Sequence, residues 1–226
     1  MKEDLAAIFN MFLDPAESMK RVESKWIWVI PTVLISLAVT AMGLYMAPLT
    51  GRVMLRNPPE GMTREAVQQA LPTIETFSRI GAYASPIIVV VMTLISAALL
   101  LGACQILGLS GKFGTLFNLV SMASIIQLVK VLASIAVLYV KSDDIQTMQE
   151  LQPSLGLDIF LPEGTNRVVY ALLNYFSIFQ VWYIVVLAIA FAAYTKTSKS
   201  NGFLATAPTW ILPLIFVVGG AFLRPS

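Results

Sequence analysis

The chain contains no histidine and a single cysteine. The first absence removes the commonest general base, the usual proton shuttle and the usual zinc ligand together. The second leaves no partner for an intramolecular disulfide. Cys104 stands inside an apolar run and reads as a small buried apolar side chain. Charge is scarce too: 12% of residues are Asp, Glu, Lys or Arg, about half the share of a soluble domain. With a net charge of +2 and no basic run longer than Lys20-Arg21, there is no footprint for nucleic acid. No long apolar run carries an Asp or Glu, so a proton-coupled carrier would lack its usual intramembrane relay. No Cys–His or Ser–His–Asp set can be assembled, and no cluster of metal ligands is present. The expectation is a non-enzyme, with no catalytic residue, cofactor or metal.

What is present is apolar length, since 57% of the residues are hydrophobic. Five runs are long enough to cross a hydrocarbon layer of about 30 Å. They cover about 26–49, 83–109, 113–140, 171–194 and 203–223. The sequence therefore predicts an all-α integral membrane protein: a five-span transmembrane helical bundle with short extramembrane amphipathic helices. It divides into an N-terminal cytoplasmic or interfacial amphipathic segment, 1–25, and a membrane domain, 26–224. Charges of both signs precede the first apolar run, which argues against a cleavable signal peptide.

In the N-terminal segment, Leu5, Ile8, Phe9 and Phe12 recur at helical spacing. Asp14-Pro15-Ala16-Glu17 reads as a helix start with Asp14 as cap and Glu17 placed for a capping box. The segment either lies on anionic headgroups or packs on the ends of the spans. Pro48 and Gly51 are expected to end the first span. A separate surface helix is expected from Thr63 to Ile80, bent or divided at Pro72, with Pro86 in the first turn of the second span. Ala98 and Gly102 give that span a small-residue face. The turn from Gly108 to Lys112 makes spans two and three an antiparallel hairpin. The loop 141–170 carries Lys141 and Arg167 against Asp143, Asp144, Glu150, Asp158 and Glu163. Pro153, Gly156, Pro162 and Gly164 leave it irregular, with one short helix at Asp144–Leu151. Asn174, Ser177 and Gln180 dot the fourth span. Thr195 to Gly202 is a basic turn, and Pro208 and Pro213 should kink the fifth span. Lys and Arg are denser on the side of the N-terminus, which predicts a cytoplasmic N-terminus and an outside Ser226.

One residue is out of keeping with its surroundings. Lys130 is the only formal charge between Phe113 and Val140 and falls near the middle of that run, one turn after Gln127. An ammonium at bilayer depth costs at least about 2.5–3.5 kcal/mol. Lys141 is roughly 15 Å further along the helix, beyond the reach of a lysine stem, so snorkelling alone leaves the charge short of water. Lys130, Gln127 and Gln180 are thus a candidate intramembrane polar site. Lys130 is expected to face the bundle and to line a polar pocket opening towards the long loops, with Gln127, Gln180, backbone carbonyls, loop acids such as Asp143 or Asp144, or an anion from lipid or substrate as partner.

Particular stretches also resemble a known family. Phe12-Leu13-Asp14-Pro15 and a short charged helix precede a first span headed by Trp26 and Trp28. A hairpin follows with Leu107-Gly108, Gly111-Lys112-Phe113 and Leu116-Phe117, and a Thr/Ser/Lys turn leads into a last span near Ala205. Over nearly its whole length this layout resembles the Yip family of Ypt/Rab-interacting membrane proteins, in its bacterial branch. Where many relatives have Tyr-Ala-x-x-Pro, this chain has Ser121-Met-Ala-Ser-Ile-Ile126, without the proline that would kink the third span. The resemblance implies a scaffold or adaptor in membrane organisation or trafficking, in a bacterial inner membrane. Its expected partners are membrane lipids and another membrane protein or a second copy of the chain. The competing expectation is a transporter or lipid-handling protein that accepts an anionic group at Lys130.

Overall fold

The computed structural model describes residues 2–59, 61–148, 150–153, 155–162 and 165–223. Glu163, Gly164, Arg224 and Ser226, which carried parts of the loop and topology expectations, lie outside the described residues. Among the described residues there is no strand. The α-helices are α1 (Lys2–Asn10), α2 (Pro15–Ser18), α3 (Val29–Arg56), α4 (Arg64–Ile106), α5 (Phe113–Ala123), α6 (Ile125–Val140), α7 (Arg167–Tyr175), α8 (Ile178–Thr195) and α9 (Lys199–Leu223). Five helical stretches are long and apolar enough to cross a bilayer: α3, α4, α5 with α6, α8 and α9.

The expected surface helix and second span are one continuous rod, α4, with Pro72 and Pro86 inside it. Proline removes an amide donor and orphans the carbonyl four residues back. At Pro86 that carbonyl belongs to Ala82, and the Ser85 hydroxyl donates to it at 2.7 Å. The helix crosses its proline because a neighbouring side chain supplies the missing donor. In the same way α3 does not stop at Pro48 but continues to Arg56. Here the neighbouring helix supports it, since α3 packs along α4. A Cβ added at Gly43 would lie 2.7 Å from that of Ala82, so only glycine permits this approach.

The third span is interrupted at Ser124, between α5 and α6, without any proline. The Ser124 hydroxyl donates to the Ser121 carbonyl at 2.7 Å, and the Gln127 amide reaches back only three residues to Ser124 at 2.8 Å. A side chain that competes for backbone acceptors tightens the turn locally. The fourth stretch is likewise split. Ser177 caps α8 by accepting from the Gln180 amide at 3.2 Å, so the apolar rod starts at Ile178. Among the described residues of 144–151 the expected helix is absent. Its polar side chains take the backbone instead: Glu150 accepts from the Gln146 amide at 2.8 Å, and the Glu150 amide donates to the Thr147 hydroxyl at 3.3 Å.

The main core gathers the ends of the bundle nearest the N-terminus. Leu100, Leu116, Leu119, Met122, Leu187 and Phe191 are fully buried there, and Ile8 and Met11 join them. The N-terminal segment is therefore packed into the bundle, while Phe9, Leu13 and Trp26 stay exposed as apolar surface. Asp14 caps α2 by accepting from the Glu17 amide at 3.0 Å, as its position predicts. The reciprocal half of a capping box does not form. The Asp14 amide donates to Asn10 at 2.7 Å, and Glu17 pairs with Lys20 at 2.6 Å. The segment is tied down at its far end, where Asn118 donates to the carbonyls of Val22 at 2.7 Å and Ser24 at 3.2 Å. A smaller apolar cluster of Leu49, Val53, Leu138, Ile145 and Leu151 closes the opposite end.

Candidate functional site

The three residues singled out by the sequence lie on two adjacent helices, α6 and α8. Lys130 is half-buried. On α6 it shares a face with the buried Ser134 and Leu138, at spacings of four residues. Leu132, Tyr139 and Val140 mark the exposed face, at 53%, 72% and 81%. The lysine therefore looks into the bundle, where α6 packs against α3 and α8. Among the described residues no ion pair or hydrogen bond reaches its ammonium, Asp143 and Asp144 included.

The glutamines, expected as partners of the lysine, pair with each other. Gln127 donates from Nε2 to Gln180 Oε1 at 3.0 Å. Gln180 in turn donates to the Tyr175 hydroxyl at 3.4 Å, and that hydroxyl donates to the Trp210 carbonyl at 2.7 Å. The chain of bonds ties α6, α7, α8 and α9 across the bundle. In a medium without water each such bond also removes an otherwise unsatisfied polar group. Tyr175 and Trp210 are the members that the sequence does not advertise, since an aromatic residue in an apolar run reads as core or interface.

A second polar contact joins α3 to α5. The hydroxyls of Thr32 and Ser121 lie 2.8 Å apart, and Ser121 also donates to the Trp28 carbonyl at 2.9 Å. Two clefts open at the end of the bundle nearest the N-terminus. One is bounded by α1 and α2, the other by the segment after α2 and the start of α5. Neither includes Lys130, Gln127 or Gln180. Among the described residues no group of three or more His, Cys, Asp or Glu could hold a metal.

Apolar rods of this length, joined by internal polar bonds and small-residue contacts, define a polytopic α-helical membrane protein. Its family is set by the match of residues 9–221 to the Yip1 domain, nearly the whole chain. The chain belongs to the Yip1 domain family. Comparison with curated proteins and with solved structures gives no match.

Proposed function

We propose that this protein is a non-enzymatic membrane scaffold or adaptor of Yip type, seated in a bacterial inner membrane with its N-terminus in the cytoplasm. Its partners are lipids and a second membrane protein, of its own kind or another. The observation that carries the reading is the Gln127–Gln180–Tyr175–Trp210 chain of hydrogen bonds. These side chains bond to one another and to backbone across the helices, which is how a bundle with a fixed shape uses polar residues. A carrier needs some of them free to meet cargo. The dense basic side, with Lys2, Lys20, Arg21, Lys25, Lys112, Lys196 and Lys199, supports the orientation.

One observation favours the transport reading: Lys130 looks inward and pairs with nothing among the described residues. Cysteine accessibility separates the two. In a Cys104→Ser background, Lys130→Cys should resist a membrane-impermeant thiol reagent from both sides of the membrane. Ser198→Cys should label only once the membrane is opened. Labelling at position 130 in intact membranes would refute the scaffold, and labelling at 198 from outside would reverse the orientation.

A further inference from the structure

The segment from α2 to α3 passes the start of α5, and between them lies a cleft of about 500 Å³. Glu23, Lys25 and Trp28 line it from the segment; Lys112, Thr115 and Phe117 line it from α5. The volume is in the range of ligand sites, about 300–1,000 Å³. Three charges face this space, yet among the described residues none of them is in an ion pair. The Lys25 ammonium lies 5.6 Å from the Trp26 ring, a contact that leaves its N–H donors free.

Thr115 adds an independent sign. It is 7% exposed, and its hydroxyl has no hydrogen-bond partner among the described residues. A buried helical threonine ordinarily donates to the carbonyl four residues back, as Thr93 and Thr206 do at 2.8 and 3.0 Å. Four residues before Thr115 is Gly111, outside the helix, so that partner is not offered. The first turn of α5 has no side-chain cap, because Lys112 at the capping position carries no acceptor. Its amides are left to whatever occupies the cleft. At Gly114 an added Cβ would meet nothing within 4 Å, so the turn is open.

Two ammonium groups, a hydroxyl and the uncapped amides of a helix start are the donor set for a phosphate. Glu23 has the opposite sign. It would repel a bare anion but would accept from an ammonium on the same ligand. The walls are aromatic, with Trp28 and Phe117 edge to face at 5.4 Å. Trp26 and Phe113 beside them are 65% and 40% exposed, in the manner of residues at headgroup level. We propose that the cleft holds a phosphoethanolamine lipid headgroup. Its phosphate sits at Lys25, Lys112, Thr115 and the start of α5, its ammonium at Glu23, and its glycerol end against Trp28 and Phe117. This site does not depend on the scaffold reading.

The test uses the full chain, delipidated in detergent and titrated separately with phosphatidylethanolamine, phosphatidylglycerol and phosphatidylcholine, with binding read by native mass spectrometry. Phosphatidylethanolamine should bind most tightly. Phosphatidylcholine should bind less well, because its quaternary ammonium offers Glu23 no N–H. Lys112→Met and Thr115→Val should each weaken phosphatidylethanolamine by up to about tenfold, one or two charge-assisted or neutral hydrogen bonds. Glu23→Gln should erase the preference for phosphatidylethanolamine over phosphatidylglycerol without weakening phosphatidylglycerol. Glu23 and Lys112 are exposed, so these variants keep the fold, and an unchanged circular dichroism melt checks it. Equal binding of the three lipids, or variants that bind like the parent, would overturn the site. Thermal stabilisation by inorganic phosphate equal to that by phosphatidylethanolamine would overturn the lipid assignment in favour of a free anion.

Discussion

Gly202 stands where α9 crosses α8, and replacing it by alanine tests how closely these helices are held. The added Cβ would lie 2.5 Å from the Ala188 carbonyl oxygen and 2.9 Å from the Ala192 Cβ. Neither atom can swing aside: one is backbone and the other is bonded directly to it. A carbon rests no closer than about 3.3 Å to a carbonyl oxygen, so the two backbones must part by close to 0.8 Å. A gap of about 0.5–1 Å forfeits a quarter to a half of the dispersion energy along the affected strip. Overpacking of this kind costs about 1–3 kcal/mol, and contact with a rigid backbone puts Gly202→Ala at the upper end. The matched control is Gly219→Ala in the same helix, where an added Cβ meets nothing within 4 Å. There alanine should be neutral or stabilising, by up to about 1 kcal/mol of helix propensity. Unfolding in mixed micelles, followed by tryptophan fluorescence, should separate the variants by about 2 kcal/mol or more. If the two unfold together, α8 and α9 are not packed backbone against backbone and the argument fails.

Two further outcomes follow from single side chains. Asn118→Ala orphans the carbonyl of Val22 and leaves that of Ser24 with the Ile27 amide as its donor, at about 1–3 kcal/mol. Limited trypsin digestion should then cut faster after the exposed Lys20 and Arg21, and unchanged cleavage would show that the apolar contacts of Ile8 and Met11 suffice. Glu150 is held below its ordinary value of 4.5, first by the Gln146 amide, with the Thr147 hydroxyl and Lys141 adding to it against the opposing effect of burial. A carboxylate lowered on folding stabilises above its unfolded value and loses that contribution as pH falls through the folded one. Protection of the Gln146 amide from exchange, corrected for its intrinsic rate, should be constant above pH 4.5 and collapse only below it. Glu150→Gln should remove that pH dependence.

The number of spans was readable because apolar length is a property of composition along the chain, and five runs exceed a bilayer thickness. Where helices begin and end was less readable, because local donors decide it. Pro86 looks like a first-turn residue, yet the Ser85 hydroxyl lets the helix run through it. Asn174 and Ser177 look like polar decoration on a span. Ser177 is in fact the cap that starts α8, and Asn174 donates to Asp158 at 2.9 Å. The helix expected at Asp144–Leu151 gave way to side chains of Thr147 and Glu150 that satisfy the same backbone groups in a turn. At the site, Gln127 and Gln180 stood out as amides in apolar runs. That they bond to each other depends on α6 and α8 being neighbours, which no spacing in one chain reveals. Thr115 was silent for a related reason: a threonine in a helix is unremarked until its hydroxyl proves to have no partner among the described residues.

The joined rod α4 links the two ends of the bundle. Gly43 on α3 presses against it at Ala82, and Gly51 lies against Leu71 and Glu75 about two to three turns further out, so α3 grips the rod along its length. From Arg64 to Ala82 is about 27 Å of helix, and from Ala82 to Ile106 about 36 Å. The Ser85 bond to the Ala82 carbonyl keeps the rod continuous past Pro86. The longer stretch carries Leu100, Ala103 and Cys104 into the main core, beside Met11 and Leu116. One helix thus joins the polar end at Arg64 to the contacts that hold the N-terminal segment at the opposite end of the bundle.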